Sequence, residues 1–155
     1  MAEDRDTVPS EIMQILRDRL GAETDAYTIP PPIFTTMEGE FVEVDLDVGL
    51  LTARFPVLER YLNPYHTMQG GMIAAAVDNT VGPLSMLVAP PNVTRRLEMT
   101  YSQPVTLEME YIVVDAELLE RDGHWLRFRA DVRTPEGLRL ARSKATHWIV
   151  EEGVT

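Results

Sequence analysis

The stretch Gly70-Gly71-Met72-Ile73-Ala74-Ala75-Ala76-Val77-Asp78-Asn79 decides how this chain folds. Met72 through Val77 is apolar at every position, so a helix built from it presents no polar stripe and must be covered on all sides. Its alanines make it thin, so a sheet can approach closely. The pattern continues to about Ala89, with Gly82-Pro83 expected to kink or end its regular part and Pro90-Pro91 closing it.

The segments on either side have other periods. Upstream, Phe41, Val42, Val44, Leu46 and Val48 mix with Glu43, Asp45 and Asp47, which predicts a half-buried strand over 41–47. Gly49 turns it into a second strand through Phe55. Near the start, Ile12, Ile15, Leu16 and Leu20 share a helical face between Ser10, suited to an N-cap, and Gly21, suited to the helix end. Residues 1–9 are polar and expected to fray. Ala22 to Pro32 reads as a connector that Pro30, Pro31 and Pro32 hold extended. Pro56 to Tyr65 suits no single element.

Downstream the chain reads as strands: Thr94–Tyr101, a long one from Pro104 through Leu119, His124–Thr134 and Leu138–Val150. Arg121-Asp122-Gly123 and Pro135-Glu136-Gly137 mark turns. Leu126, Phe128, Ala130 and Val132 alternate with Arg127, Arg129, Asp131 and Arg133. The arginine face is expected to pair with Glu108 and Glu110. One apolar helix among antiparallel strands defines an α+β layer whose sheet must curl around the helix, the hotdog fold. Residues 31–155 form one such domain, preceded over 1–30 by a helix and linker.

Composition narrows the function. The 155 residues carry 14 Lys+Arg against 25 Asp+Glu, a net charge of −11, which argues against general nucleic-acid binding. There is no Cys, hence no disulfide, thiolate metal site or cysteine nucleophile. The three histidines, 66, 124 and 147, have no ligand spacing, so no metal is expected. Counted as an unbroken run, Met72–Val77 is far short of a membrane span. With no secretory signal at the charged start, a cytoplasmic protein is expected.

The wider segment from Asn63 to Asp78 resembles the active-site segment of hotdog acyl-CoA thioesterases, in particular the phenylacetyl-CoA thioesterase-like branch. That family shows an Asn, then a His-Gly-Gly, then an Asp. Here Asn63 stands six residues before Gln69, Gly70-Gly71 follow, and Asp78 comes after six more. Thr94 opens the next strand as a Ser or Thr does in the family, and the resemblance covers roughly 40–150. It implies thioester hydrolysis of an acyl-CoA, with coenzyme A present only as part of the substrate. It also implies a homodimer or homotetramer whose site is shared between subunits. By resemblance, Asn63 orients water or the acyl carbonyl, Gly70 donates to the oxyanion, Asp78 is general base or nucleophile, and Thr94 positions water. One departure stands out: the family histidine is Gln69, which cannot titrate near pH 7.

The residues themselves support these roles and leave alternatives. Gly70 and Gly71 open the apolar helix, where N–H groups lack internal partners and the dipole is positive. They fit an oxyanion site or simply tight packing. Asp78 lies in an apolar helix, where burial would raise its basicity, or else it marks a solvated face. Asn63 fits a substrate role or a turn before Pro64. His66 could substitute for the missing histidine or lie at the surface. Arg95 and Arg96 could meet coenzyme A phosphates or end a strand in solvent. Eight residues of helix rise about 12 Å, so Gly70 and Asp78 of one chain cannot touch one carbonyl. If both act, they come from different subunits. The competing function is a non-catalytic acyl-CoA or acyl-chain binding protein, which Gln69 favours. A hotdog dehydratase is disfavoured because the helix opens with Gln-Gly-Gly.

Overall fold

The computed structural model describes residues 9–150. The expectation for residues 1–8 lies outside them. Helix α1 spans Ser10–Leu20, α2 Pro32–Thr36 and α3 Gly70–Val88. The strands are β1 Glu40–Asp45, β2 Leu50–Pro56, β3 Asn92–Tyr101, β4 Tyr111–Asp122, β5 Trp125–Arg133 and β6 Arg139–Ile149. They form one antiparallel sheet in the order β1-β2-β4-β5-β6-β3, with β1 and β3 as edges. This is the hotdog architecture: the sheet packs its inner face on α3, and α1 packs on α3 through buried Ile12 and Leu16.

The inner face explains the apolar helix. Leu51, Ala53 and Phe55 of β2, Ile112, Val114 and Ala116 of β4, and Leu126, Phe128, Ala130 and Val132 of β5 are all buried. They meet Ile73, Ala76, Val77, Val81, Leu84 and Leu87 of α3. Alternation on β5 fixes this register, because a one-residue slip would turn every apolar side chain to water. By length and composition α3 would pass for a membrane span, with mean hydropathy 1.3 over its best window. Counting unbroken apolar runs missed this, and burial beneath the sheet accounts for the composition.

Several expectations need correction. Helix α3 is not covered on all sides: Gly71 and Asp78 are exposed. It also runs unbroken through Gly82-Pro83 to Val88. Ser10 is the first helical residue rather than the cap; Pro9 precedes it and no side chain caps the end. Pro32 starts α2, at the position where a proline's missing N–H costs nothing. The strand expected from Pro104 begins only at Tyr111. A 3-10 turn occupies Leu107–Met109 and Glu110 takes a positive φ of 64°, so alternation there imitates a strand without forming one. Glu108 and Glu110 therefore do not face the arginines. Arg127, Arg129 and Arg133 pair with Glu120, Glu117 and Asp115 of β4 instead.

Candidate active site

The amino-terminal end of α3 is held from two sides. The Gln69 N–H donates to Tyr61 O at 2.8 Å, and Met72 and Ile73 N–H both donate to Gln69 O. Among the described residues, the Gly70 and Gly71 N–H groups have no such acceptor and face outward at the positive end of the helix. The two glycines differ. A Cβ on Gly71 would meet nothing within 4 Å, whereas one on Gly70 would stand 3.2 Å from the Tyr101 ring and hydroxyl. Tyr101, at the end of β3, donates its hydroxyl to Gly70 O at 2.6 Å. Gly70 therefore meets a packing need as well as presenting a donor.

The preceding loop is organised by Asn63. Its Oδ1 accepts from the Tyr65 N–H at 2.9 Å and the Thr67 N–H at 3.2 Å, and its Nδ2 donates to Thr67 Oγ1 at 2.9 Å. The turn role is thus the one its side chain performs here, and a single Nδ2 hydrogen is left for a ligand. His66 sits in this turn with φ at 61°, its side chain exposed. Gln69 is exposed and its side chain does not cap the helix.

Two turns along α3, Asp78 points away from the core. Of the two placements left open for this carboxylate, the solvated face is the one found in the single protomer, where Asp78 is exposed. The structure does bring it to Thr94: the Thr94 hydroxyl lies 3.3 Å from Asp78 Oδ1. A bulge makes this contact possible. Thr94 pairs with His147 and Arg96 with Thr146, leaving Arg95 as the extra residue. Thr94 and Leu97 consequently share the inner face, whereas an unbroken strand of this sequence would turn Thr94 outward. Arg95 is exposed and makes no ion pair among the described residues, while Arg96 is held by Glu98 at 2.8 Å.

His147, which the sequence shows only as a histidine without metal-ligand spacing, belongs to this cluster. It is 2% exposed, and its Nε2 lies 3.3 Å from Thr94 Oγ1. Its Nδ1 lies 2.7 Å from Asn92 Oδ1. The Asn92 Nδ2 donates to Pro90 O and Ser85 O, which orients its amide so that Oδ1 faces the imidazole. His147 Nδ1 therefore carries a hydrogen. Burial pushes the His147 pKa below its ordinary value of 6.5, opposed by the nearby Asp78 charge. Parity was the available signal: on β6 His147 keeps step with Ala145 and Ile149, so it had to point inward.

A cavity of about 290 Å³ opens at the other end of α3, between Arg19, Leu46, Asp47, Val48, Leu87 and Leu118. None of the candidate residues lines it. Met68 is in the core, and Met72 and Met86 pack against the core.

The fold is shared with solved structures. A phenylacetic acid degradation-related protein from Ralstonia eutropha JMP134 superposes with a TM-score of 0.74 at 22% identity, covering 87% of this chain and 98% of that one. The Escherichia coli PaaI protein from the phenylacetic acid degradation operon superposes with a TM-score of 0.74 at 10% identity, covering 93% and 99%. A hypothetical thioesterase protein from Streptococcus pneumoniae TIGR4, solved with coenzyme A, gives 0.67 at 17%, covering 72% and 85%. No protein-family model and no curated protein matches the sequence. These likenesses establish the hotdog fold.

Proposed function

We propose that the chain is an acyl-CoA thioesterase, hydrolysing a small, aryl or medium-chain acyl-CoA to the free acid and coenzyme A. The observation that carries this reading is Asp78, an exposed carboxylate and the one charged residue of α3, met by the Thr94 hydroxyl at 3.3 Å. A carboxylate so placed has no core role to explain it, and one turned to the surface is available to activate water. The free N–H groups of Gly70 and Gly71 supply the complementary part, polarising the thioester carbonyl as its oxygen gains charge.

Both parts lie on α3, about 12 Å apart by helix rise, so one chain does not complete a site. In our reading two chains pair so that Asp78 of one protomer faces the Gly70 end of the other, as a homodimer or as a dimer of dimers. The exposed face of α3 at Gly71 and Asp78, together with the edge strand β3, is the surface such pairing would cover. Arg95, free at the bulge, is the cation we assign to the coenzyme A phosphates, with Arg96 secondary because Glu98 holds it. The fold shared with a structure solved with coenzyme A supports that ligand class.

Release of free thiol from a panel of acyl-CoA esters tests the reading. The chain has no cysteine, so all new thiol comes from coenzyme A. Hydrolysis that is lost in Asp78→Ala supports it. Binding of acyl-CoA without turnover would instead support a non-catalytic binding protein.

A further inference from the structure

We propose that Thr94 relays a proton between Asp78 and the buried His147, which makes His147 a positioning residue and proton reservoir for the carboxylate. The inference rests on the reading of Asp78 as base, and it follows from counting hydrogens in the cluster. His147 Nδ1–H is committed to Asn92 Oδ1, whose amide is fixed by Pro90 O and Ser85 O. Thr94 Oγ1 stands 3.3 Å from both Asp78 Oδ1 and His147 Nε2, and it has one hydrogen for these two contacts. With Asp78 ionised and His147 neutral, both neighbours are acceptors and one contact lacks a hydrogen. One added proton completes the set in either of two arrangements. Protonated Asp78 donates to Thr94 while Thr94 donates to Nε2. Alternatively, Nε2–H donates to Thr94 while Thr94 donates to the carboxylate.

The step between these arrangements is balanced. The proton that Asp78 takes from water leaves Oδ1 and bonds to Thr94 Oγ1. The hydrogen already on Thr94 leaves its oxygen and bonds to His147 Nε2. The products are a regenerated carboxylate and an imidazolium, and no other reactant is consumed. Reversal returns the proton for the departing thiolate.

Among the described residues, Asp78 is the one charged group acting on the ring. Among the described residues, β3 offers Thr94 and Asn92, β5 offers Leu126 and Phe128, whose ring meets the imidazole edge-on at 5.0 Å, and α3 offers Asp78. Burial favours the neutral ring, and the Asp78 charge opposes that shift by favouring the imidazolium.

The test is titration of the three histidines by NMR in the substrate-free protein, with His147→Gln assigning the resonance, in wild type, Asp78→Asn, Thr94→Val and Thr94→Ser. The relay predicts that Asp78→Asn and Thr94→Val both move the His147 midpoint, while Thr94→Ser, which keeps the hydroxyl, leaves it in place. A Thr94→Val midpoint equal to wild type would overturn the relay, because Asp78 would then act through space alone. In turnover, His147→Gln and Thr94→Val should lower kcat about 10-fold with KM unchanged and shift the acid limb of the pH profile, with Thr94→Ser rescuing both. Superimposable profiles would also overturn it. Should no acyl-CoA be hydrolysed by the wild type, the reading of function fails, and the NMR comparison still decides the relay.

Discussion

The Tyr101 hydroxyl donates to the Gly70 carbonyl oxygen at 2.6 Å, tying the end of edge strand β3 to the first turn of α3. Partial desolvation raises the pKa of the half-exposed Tyr101 above its ordinary 10.0, so the donor stays protonated through neutral pH. The unfolded chain ionises first, so this contribution is complete below pH 10 and fades as pH rises past it. Tyr101→Phe is expected to cost about 1 kcal/mol in denaturant unfolding at pH 7, the net worth of such a bond. A variant as stable as the parent would show that the contact is incidental.

Asn63 distinguishes a loop role from a substrate role. Asn63→Ala removes both acceptor contacts and the Thr67 contact, and should destabilise the protein by about 1–3 kcal/mol. Asn63→Asp keeps the acceptor and replaces the Nδ2 donor with a second, charged oxygen. It should keep most of that stability, and a kcat that also stays at the parent value would rule out a substrate role for the Nδ2 hydrogens.

His147 makes stability depend on pH with a definite sign. Its pKa is lowered by folding, so the unfolded chain binds the proton more readily. Stability should therefore be complete above pH 6.5 and fall as pH drops from there through the depressed folded value. Thermal unfolding between pH 7.5 and 5 would show this slope, and His147→Gln should flatten it. An unchanged slope in the variant would place the acid sensitivity elsewhere.

Arg95 and Arg96 should separate kinetically. Arg95→Ala removes an unpaired cation at the bulge and is expected to raise KM for acyl-CoA several-fold with kcat unchanged, an effect that added salt diminishes. Arg96→Ala should do less, because Glu98 already neutralises that guanidinium. Equal KM values for both variants and the parent would remove coenzyme A phosphates from this strand.

The legible parts of the fold were those where one period dominates. Met72–Val77 read as a buried helix, and the alternation from Leu126 to Val132 as a strand with one wet face. The reading failed where local pattern and backbone disagree. Pro104–Glu110 alternates like a strand, yet a 3-10 turn and a positive φ at Glu110 interrupt it. The candidate positions Gly70, Asp78 and Thr94 were visible in the sequence, and the structure brings Asp78 and Thr94 together. The closure of that pair through His147 was not visible, because the bulge at Arg95 and the pairing of Thr94 with His147 are cross-strand facts that no local window contains. Asn63 was visible as a position, but only the structure shows its oxygen already occupied.

The most direct test of a site built from two protomers mixes two inactive variants. Gly70→Pro deletes one oxyanion donor at the first helical position, where the proline backbone fits and the Tyr101 ring must shift to admit its side chain, and should cut kcat about 10²–10³-fold. Asp78→Ala removes the base. After unfolding and refolding together in equal amounts, half of the dimers pair one chain of each kind, and each such dimer rebuilds one of its two sites. Activity should return to about a quarter of wild type. A mixture no more active than the two variants measured separately would contradict the shared site.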